Sequence, residues 1–214
     1  MRRLMIVSII LLLLVGCTET KTLEASFKAG LSQALPISTN HNKPYFRYYL
    51  PPHVGVKKQD ETSSILLINN HEVLMNMRVD YIVSKEFEYT NQEKILEKDP
   101  IFSEEKTYVD SDNKMQVLNV RVYELNKKEV LIFADNRKIE MVTVVTKPDM
   151  NMTLESMIII IKSSIVFDKE VVSAYSNKVL DKNPGTYSEF FEQVPPETGT
   201  IKEMNERLDP DSGE

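Results

Sequence analysis

The chain of 214 residues has one cysteine, Cys17, directly after Leu14-Val15-Gly16. A single thiol can form no intrachain disulfide and can build no cysteine-rich metal site. The three histidines, His41, His53 and His71, are the next candidates for chemistry. His71-Glu72 opens with the spacing of a zinc-binding helix, but Met75 stands where the second histidine must be one turn later. Asp110-Ser111-Asp112-Asn113 begins as a calcium loop does, yet Met115 takes the glycine position and Arg121 the bidentate glutamate position. With no Gly-x-Ser-x-Gly elbow and only six glycines, neither a serine nucleophile on a strained turn nor a phosphate-cradling loop is encoded. These residues predict turn histidines, a solvated acidic turn at 110–113, and no catalytic, metal-binding or cofactor-binding set.

The elements that position Cys17 give it a role. Met1-Arg2-Arg3 carries positive charge, and Leu4 to Val15 is an apolar run interrupted only by Ser8. As a helix at about 1.5 Å per residue the run reaches ~18 Å, short of a bilayer core of roughly 30 Å. This is the charged start and apolar body of an export signal, not a permanent span. Leu14-Val15-Gly16-Cys17 resembles the lipobox of bacterial lipoproteins. That resemblance implies cleavage between Gly16 and Cys17 and a diacylglyceryl, and then a palmitate-type acyl, group on Cys17. Two or more acyl chains anchor stably where one chain is marginal.

Loss of residues 1–16 removes Arg2 and Arg3, so the remaining chain is two charges more acidic than the −6 of the whole. An acidic body argues against nucleic acid as a partner and against a polybasic grip on anionic lipid. Lysine in excess over arginine and the lack of tryptophan suit a low-GC Gram-positive source.

Along the rest of the chain, Leu23, Phe27, Leu31 and Leu35 recur every four residues and predict a short helix that docks on the body from within a tether. Tyr45 to Leu50 is an aromatic strand stopped by Pro51-Pro52. After a charged turn, Ile65–Ile68 and Val73–Tyr81 flank Asn69-Asn70 as a hairpin, with Val73, Met75, Met77, Val79 and Tyr81 facing a core. Residues 90–106 are polar, with a short helix at Gln92–Glu97. Val117–Leu125, Glu129–Ala134 and Ile139–Thr146 form a three-stranded meander. Beyond Pro148, a helix capped by Asn151 or Thr153 carries Leu154, Met157, Ile158, Ile161 and Ile165 on its apolar face, and the meander is the surface it covers. A shorter helix at Lys169–Leu180 and a loop at Asn183-Pro184-Gly185 follow.

The fold class expected is α+β: an antiparallel sheet of six or seven strands with one or two helices on it. The organisation expected is a signal peptide over 1–16, a lipid anchor and tether over 17–43, one globular domain over 44–193 and a C-terminal tail over 194–214. Within the tail, Pro195-Pro196-Glu197-Thr198-Gly199 resembles a sortase signal, but it lacks the leading leucine and no apolar span follows.

Two segments resemble the PsbP, Mog1 and DcrB-like fold group. One is Phe46 to Val56, an aromatic strand leading into a proline turn, although Val54 stands where that group often has a bulky aromatic. The other is the helix running into Ser163-Ser164-Ile165-Val166-Phe167, similar to a terminal helix followed by a short strand. The resemblance implies an accessory or assembly module without a catalytic site.

The expectation is therefore a non-catalytic lipoprotein at the extracytoplasmic face of the cell membrane, held there by the lipid on Cys17 and bound to an envelope protein. The alternative is a carrier of a small ligand or metal beside a transporter, for which Tyr45, Phe46, Tyr48 and Tyr49 with the nearby histidines would be the handle.

Overall fold

β-Branched runs separated by turn residues become a seven-stranded antiparallel sheet. A computed structural model describes residues 21–35, 38–85, 98–110 and 112–176. Gly16 and Cys17, the 92–97 helix, the 183–185 loop and the 194–214 tail lie outside the described residues. In chain order the strands are β1 (His41–Asn42), β2 (Phe46–Tyr48), β3 (Val54–Gln59), β4 (Ser63–Ile68), β5 (His71–Met77), β6 (Phe102–Val109), β7 (Met115–Glu124), β8 (Glu129–Asp135), β9 (Ile139–Thr146) and β10 (Ile165–Val166). The helices are α1 (Leu23–Ser32), α2 (Val79–Ser84), α3 (Met150–Ser163) and α4 (Asp168–Tyr175). The large sheet runs β3-β4-β5-β9-β8-β7-β6, and a small one runs β1-β2-β10. This is an α+β fold, and no helix among the described residues is long and apolar enough to cross a membrane.

The meander forms as β7, β8 and β9, and the β4–β5 hairpin turns through Asn69 and Asn70, both with positive φ. Asparagine tolerates that conformation, and the twist of such a turn matches that of the strands. Val73, Met75 and Met77 face the core as the alternation requires. The second hairpin strand ends at Met77, however, and Val79–Ser84 is helical. Lys85, in the left-handed region at φ 64°, closes that turn of helix, and Ile82 is its buried residue.

Two strands were not expected. β3 lies in the stretch read as a charged turn, and β6 lies across the one read as polar. Both are edges of the large sheet. Val54 and Tyr108 turn into the core, but the other positions of these edge strands are largely polar and charged, which hides the alternation and discourages pairing with another chain.

α3 lies on β8 and β9, as its apolar face demands. Its N-cap is Asp149 rather than Asn151 or Thr153. The Asp149 carboxylate makes no cap bond and accepts instead from Thr146 and His71. Ten of its fourteen residues are buried, more than one face can supply, because α1 covers the side away from the sheet.

The short helix expected within the tether packs on α3. Thr22 caps α1, its Oγ1 accepting from the Ala25 amide at 3.1 Å. Phe27 enters the main core with Leu23 and Leu31 packed around it. Gly30 lets the two helices meet: a Cβ there would stand 3.0 Å from the Ile158 Cβ. The buried Lys162 ammonium reaches out of α3 to the carbonyls of Gly30, Leu31 and Gln33, closing the C-terminus of α1 with a positive charge. Residues 21–35 are thus part of the body, which begins more than twenty residues before the expected boundary at 44.

Candidate functional site

α1 and α3 start at one end of the molecule, and the β6–β7 hairpin and the β8–β9 turn lie at the other. At this second end the Asp110 carboxylate accepts from the amides of Asp112 and Lys114, each at 2.9 Å, and from the Gln116 side chain at 2.7 Å. Those bonds hold the hairpin turn, so the carboxylate that begins the calcium-like motif is occupied by its own backbone. Val109 and Met115 are cross-strand partners at the tip and are 56% and 75% exposed. Beside them a cleft of about 30 Å³ opens between Asp110, Lys114, Asn136 and Lys138.

Behind the tip lies a buried polar layer. Asn136 donates to the Tyr108 hydroxyl at 3.1 Å, and burial pushes the Tyr108 phenol up to about 12, so it stays neutral. Asn119 donates to Asp135 at 3.1 Å, with Arg121 on the other carboxylate oxygen at 3.5 Å. Burial raises the Asp135 pKa, while Asn119, the Arg137 amide and the arginines oppose it. Arg78 binds Asp80 through two nitrogens, at 3.0 and 2.8 Å, and Glu140 at 3.3 Å. Burial alone would lower the Arg78 pKa, but Asp80, Glu140 and Asp135 together raise it. The layer pairs fixed charges with fixed partners. Its chemistry is to hold the shape of this end rather than to move a proton.

The histidines do not come together in a metal site: among the described residues no three His, Cys, Asp or Glu side chains are grouped for an ion. His41 stacks on Tyr48 at 5.4 Å between ring centres, and His71 meets Asp149 at 2.9 Å. His53 is 2.9 Å from the Ser156 hydroxyl, a pair with no sequence signature. Ser156 is only 2% exposed, and its one proton goes to the Met152 carbonyl at 2.9 Å. His53 must therefore donate to Ser156 rather than take its proton, the reverse of what activation requires.

The aromatic cluster divides as well. Phe46 and Tyr48 are fully buried in the core, while Tyr45 packs edge-on against Tyr175 at 5.5 Å. Two of the four rings on which a ligand site would depend are thus structural.

Compared with known protein families and with curated proteins, the chain matches none.

Proposed function

We propose that this protein is a lipid-anchored, non-catalytic module of the cell envelope that binds a protein partner through the β6–β7 hairpin. The anchor half of the reading rests on Leu14-Val15-Gly16-Cys17 behind a short apolar run. The observation that carries the binding half is the cross-strand pair Val109 and Met115, two large apolar side chains exposed side by side on a tight turn. Apolar side chains paired at a hairpin tip, with Asp112 and Lys114 beside them, have the make-up of a small protein contact with a polar rim. The buried layer of Arg78, Asp135 and Glu140 supports it from behind. No second reading is favoured by a specific observation.

A photocrosslinking residue at Met115 in the full chain, activated in intact cells, tests this. A discrete protein adduct is expected, and Val109→Asp is expected to abolish it while leaving the protein folded. Catalytic turnover by the purified protein, or the absence of any protein adduct at Met115, would overturn the proposal.

A further inference from the structure

The docking of α1 shortens the link between Cys17 and the body. Lys21 is already fixed: its ammonium bridges to Glu155 on α3 at 3.1 Å, and its carbonyl accepts from the Asn151 side chain. Thr22 then caps α1. Four peptide steps separate Cys17 from Lys21, and a fully extended chain covers at most about 14 Å in four residues. The end of the body where α1 and α3 begin cannot move further than that from a lipid attached to Cys17.

What stands at this end suits a phospholipid surface. Met152, in the first turn of α3, is 44% exposed. Lys127 and Lys128 are exposed in the β7–β8 turn. The Lys147 amide donates to the Lys128 carbonyl at 2.8 Å, which lays that turn beside the residues leading into α3. The carboxylates here are engaged: Glu124 with Lys147 at 2.7 Å, Glu129 with Asn126 at 2.7 Å, Glu155 with Lys21, and Asp149 with Thr146 and His71. Lys127 and Lys128 form no salt bridge among the described residues. Lys21, Lys127, Lys128 and Lys147 balance Glu124, Glu129, Asp149 and Glu155, so these groups are neutral together in a chain that is acidic as a whole, and Lys127 and Lys128 are the ammonium groups among them outside an ion pair.

We infer that this end, with Met152 and the Lys127–Lys128 turn foremost, rests against the phospholipid headgroups, and that the β6–β7 hairpin is held up at the opposite end. The inference builds on the proposed lipidation of Cys17 and adds an orientation to it. α3 runs from the membrane end towards the hairpin end, and its fourteen residues at about 1.5 Å each set the height of the body near 20 Å. Lysines facing anionic headgroups attract them within a Debye length.

Once Cys17 is acylated, an introduced cysteine is the only free thiol. The full lipoprotein carrying Met152→Cys or Met115→Cys is labelled with a fluorophore and placed in phosphatidylglycerol and phosphatidylethanolamine vesicles containing headgroup spin-labelled lipid. The label at 152 is expected to be quenched and the label at 115 to remain bright. A Gly/Ser insert of ~20 residues between Thr20 and Lys21, with a coil dimension of roughly 25 Å, is expected to restore emission at 152 without releasing the protein from the vesicles. Vesicle-bound protein with equal quenching at both positions overturns the orientation alone, and so does quenching at 152 that survives the insert. Vesicle binding that is no stronger than that of Cys17→Ala overturns the lipid anchor, and the orientation with it.

Discussion

Lys43 shows how one side chain ties the two sheets together. It stands between β1 and β2, donates to the Ser64 hydroxyl at 2.7 Å and to the Ser63 carbonyl on β4, and lies over the Phe46 ring. Burial pushes its ammonium down to about 8, with Asp60 partly opposing. Between that value and the ordinary 10.5 the unfolded chain holds a proton that the folded chain has lost, so raising the pH through this window favours the fold. The urea midpoint of the wild type should therefore rise relative to that of Lys43→Met from pH 7.5 to 10, and parallel curves would show that Lys43 does not titrate there. None of this was legible in the sequence, where Lys43 is one lysine among many. The role proposed for Cys17 rests on sequence alone, because the Leu14-Val15-Gly16-Cys17 pattern is local. The Val109 and Met115 pair was not legible, since what distinguishes it is exposure, and exposure depends on what the rest of the chain covers.

At the scale of elements, legibility followed burial. The meander was readable because its strands are β-branched runs cut by Asn126-Lys127-Lys128 and by Asp135-Asn136-Arg137-Lys138. β3 and β6 were not, because as edge strands they expose Lys57, Lys58, Glu105 and Lys106 and lose the alternation that marks a half-buried strand. α2 was mistaken for strand because Val79-Asp80-Tyr81 continues the alternation of β5 by chance of composition. The periodicity of α1 was legible, but its partner was not, for Gly30 meets Ile158, 128 positions further along the chain. At that contact two effects compete. Alanine in place of Gly30 gains up to about 1 kcal/mol of helix propensity, whereas overpacking a close helix contact costs about 1–3 kcal/mol. The Ile158 Cβ is fixed to its backbone and cannot swing aside, so packing wins. Gly30→Ala should lose about 1 kcal/mol by urea denaturation, and a more stable variant would show that the helices can part freely.

For the molecule as a whole, the two sheets do not make two domains. One cluster of buried residues joins Phe46 and Tyr48 of the small sheet to Met75, Ile132 and Val120 of the large one through Ile158 and Ile161 of α3. A shared core unfolds as a unit. Tyrosine fluorescence and far-ultraviolet circular dichroism should give coincident denaturation curves, and separated midpoints would mean that the small sheet melts alone. The α+β class was legible because sheet and helix patterns were segregated along the chain. The extent of the body was not, because its first packed helix lies where composition reads as a linker.

The pairing of α1 with α3 also sets an order in time. A chain is made from its N-terminus, so α1 emerges about 130 residues before the surface that buries Phe27 and before Lys162, which closes its last turn. Phe102, which meets the Phe27 ring, is made sooner, but the α3 surface comes later, and closing so long a loop is entropically slow. The meander and α3, whose contacts are local, can assemble without it. The segment made earliest in this body is the one that must wait longest to fold.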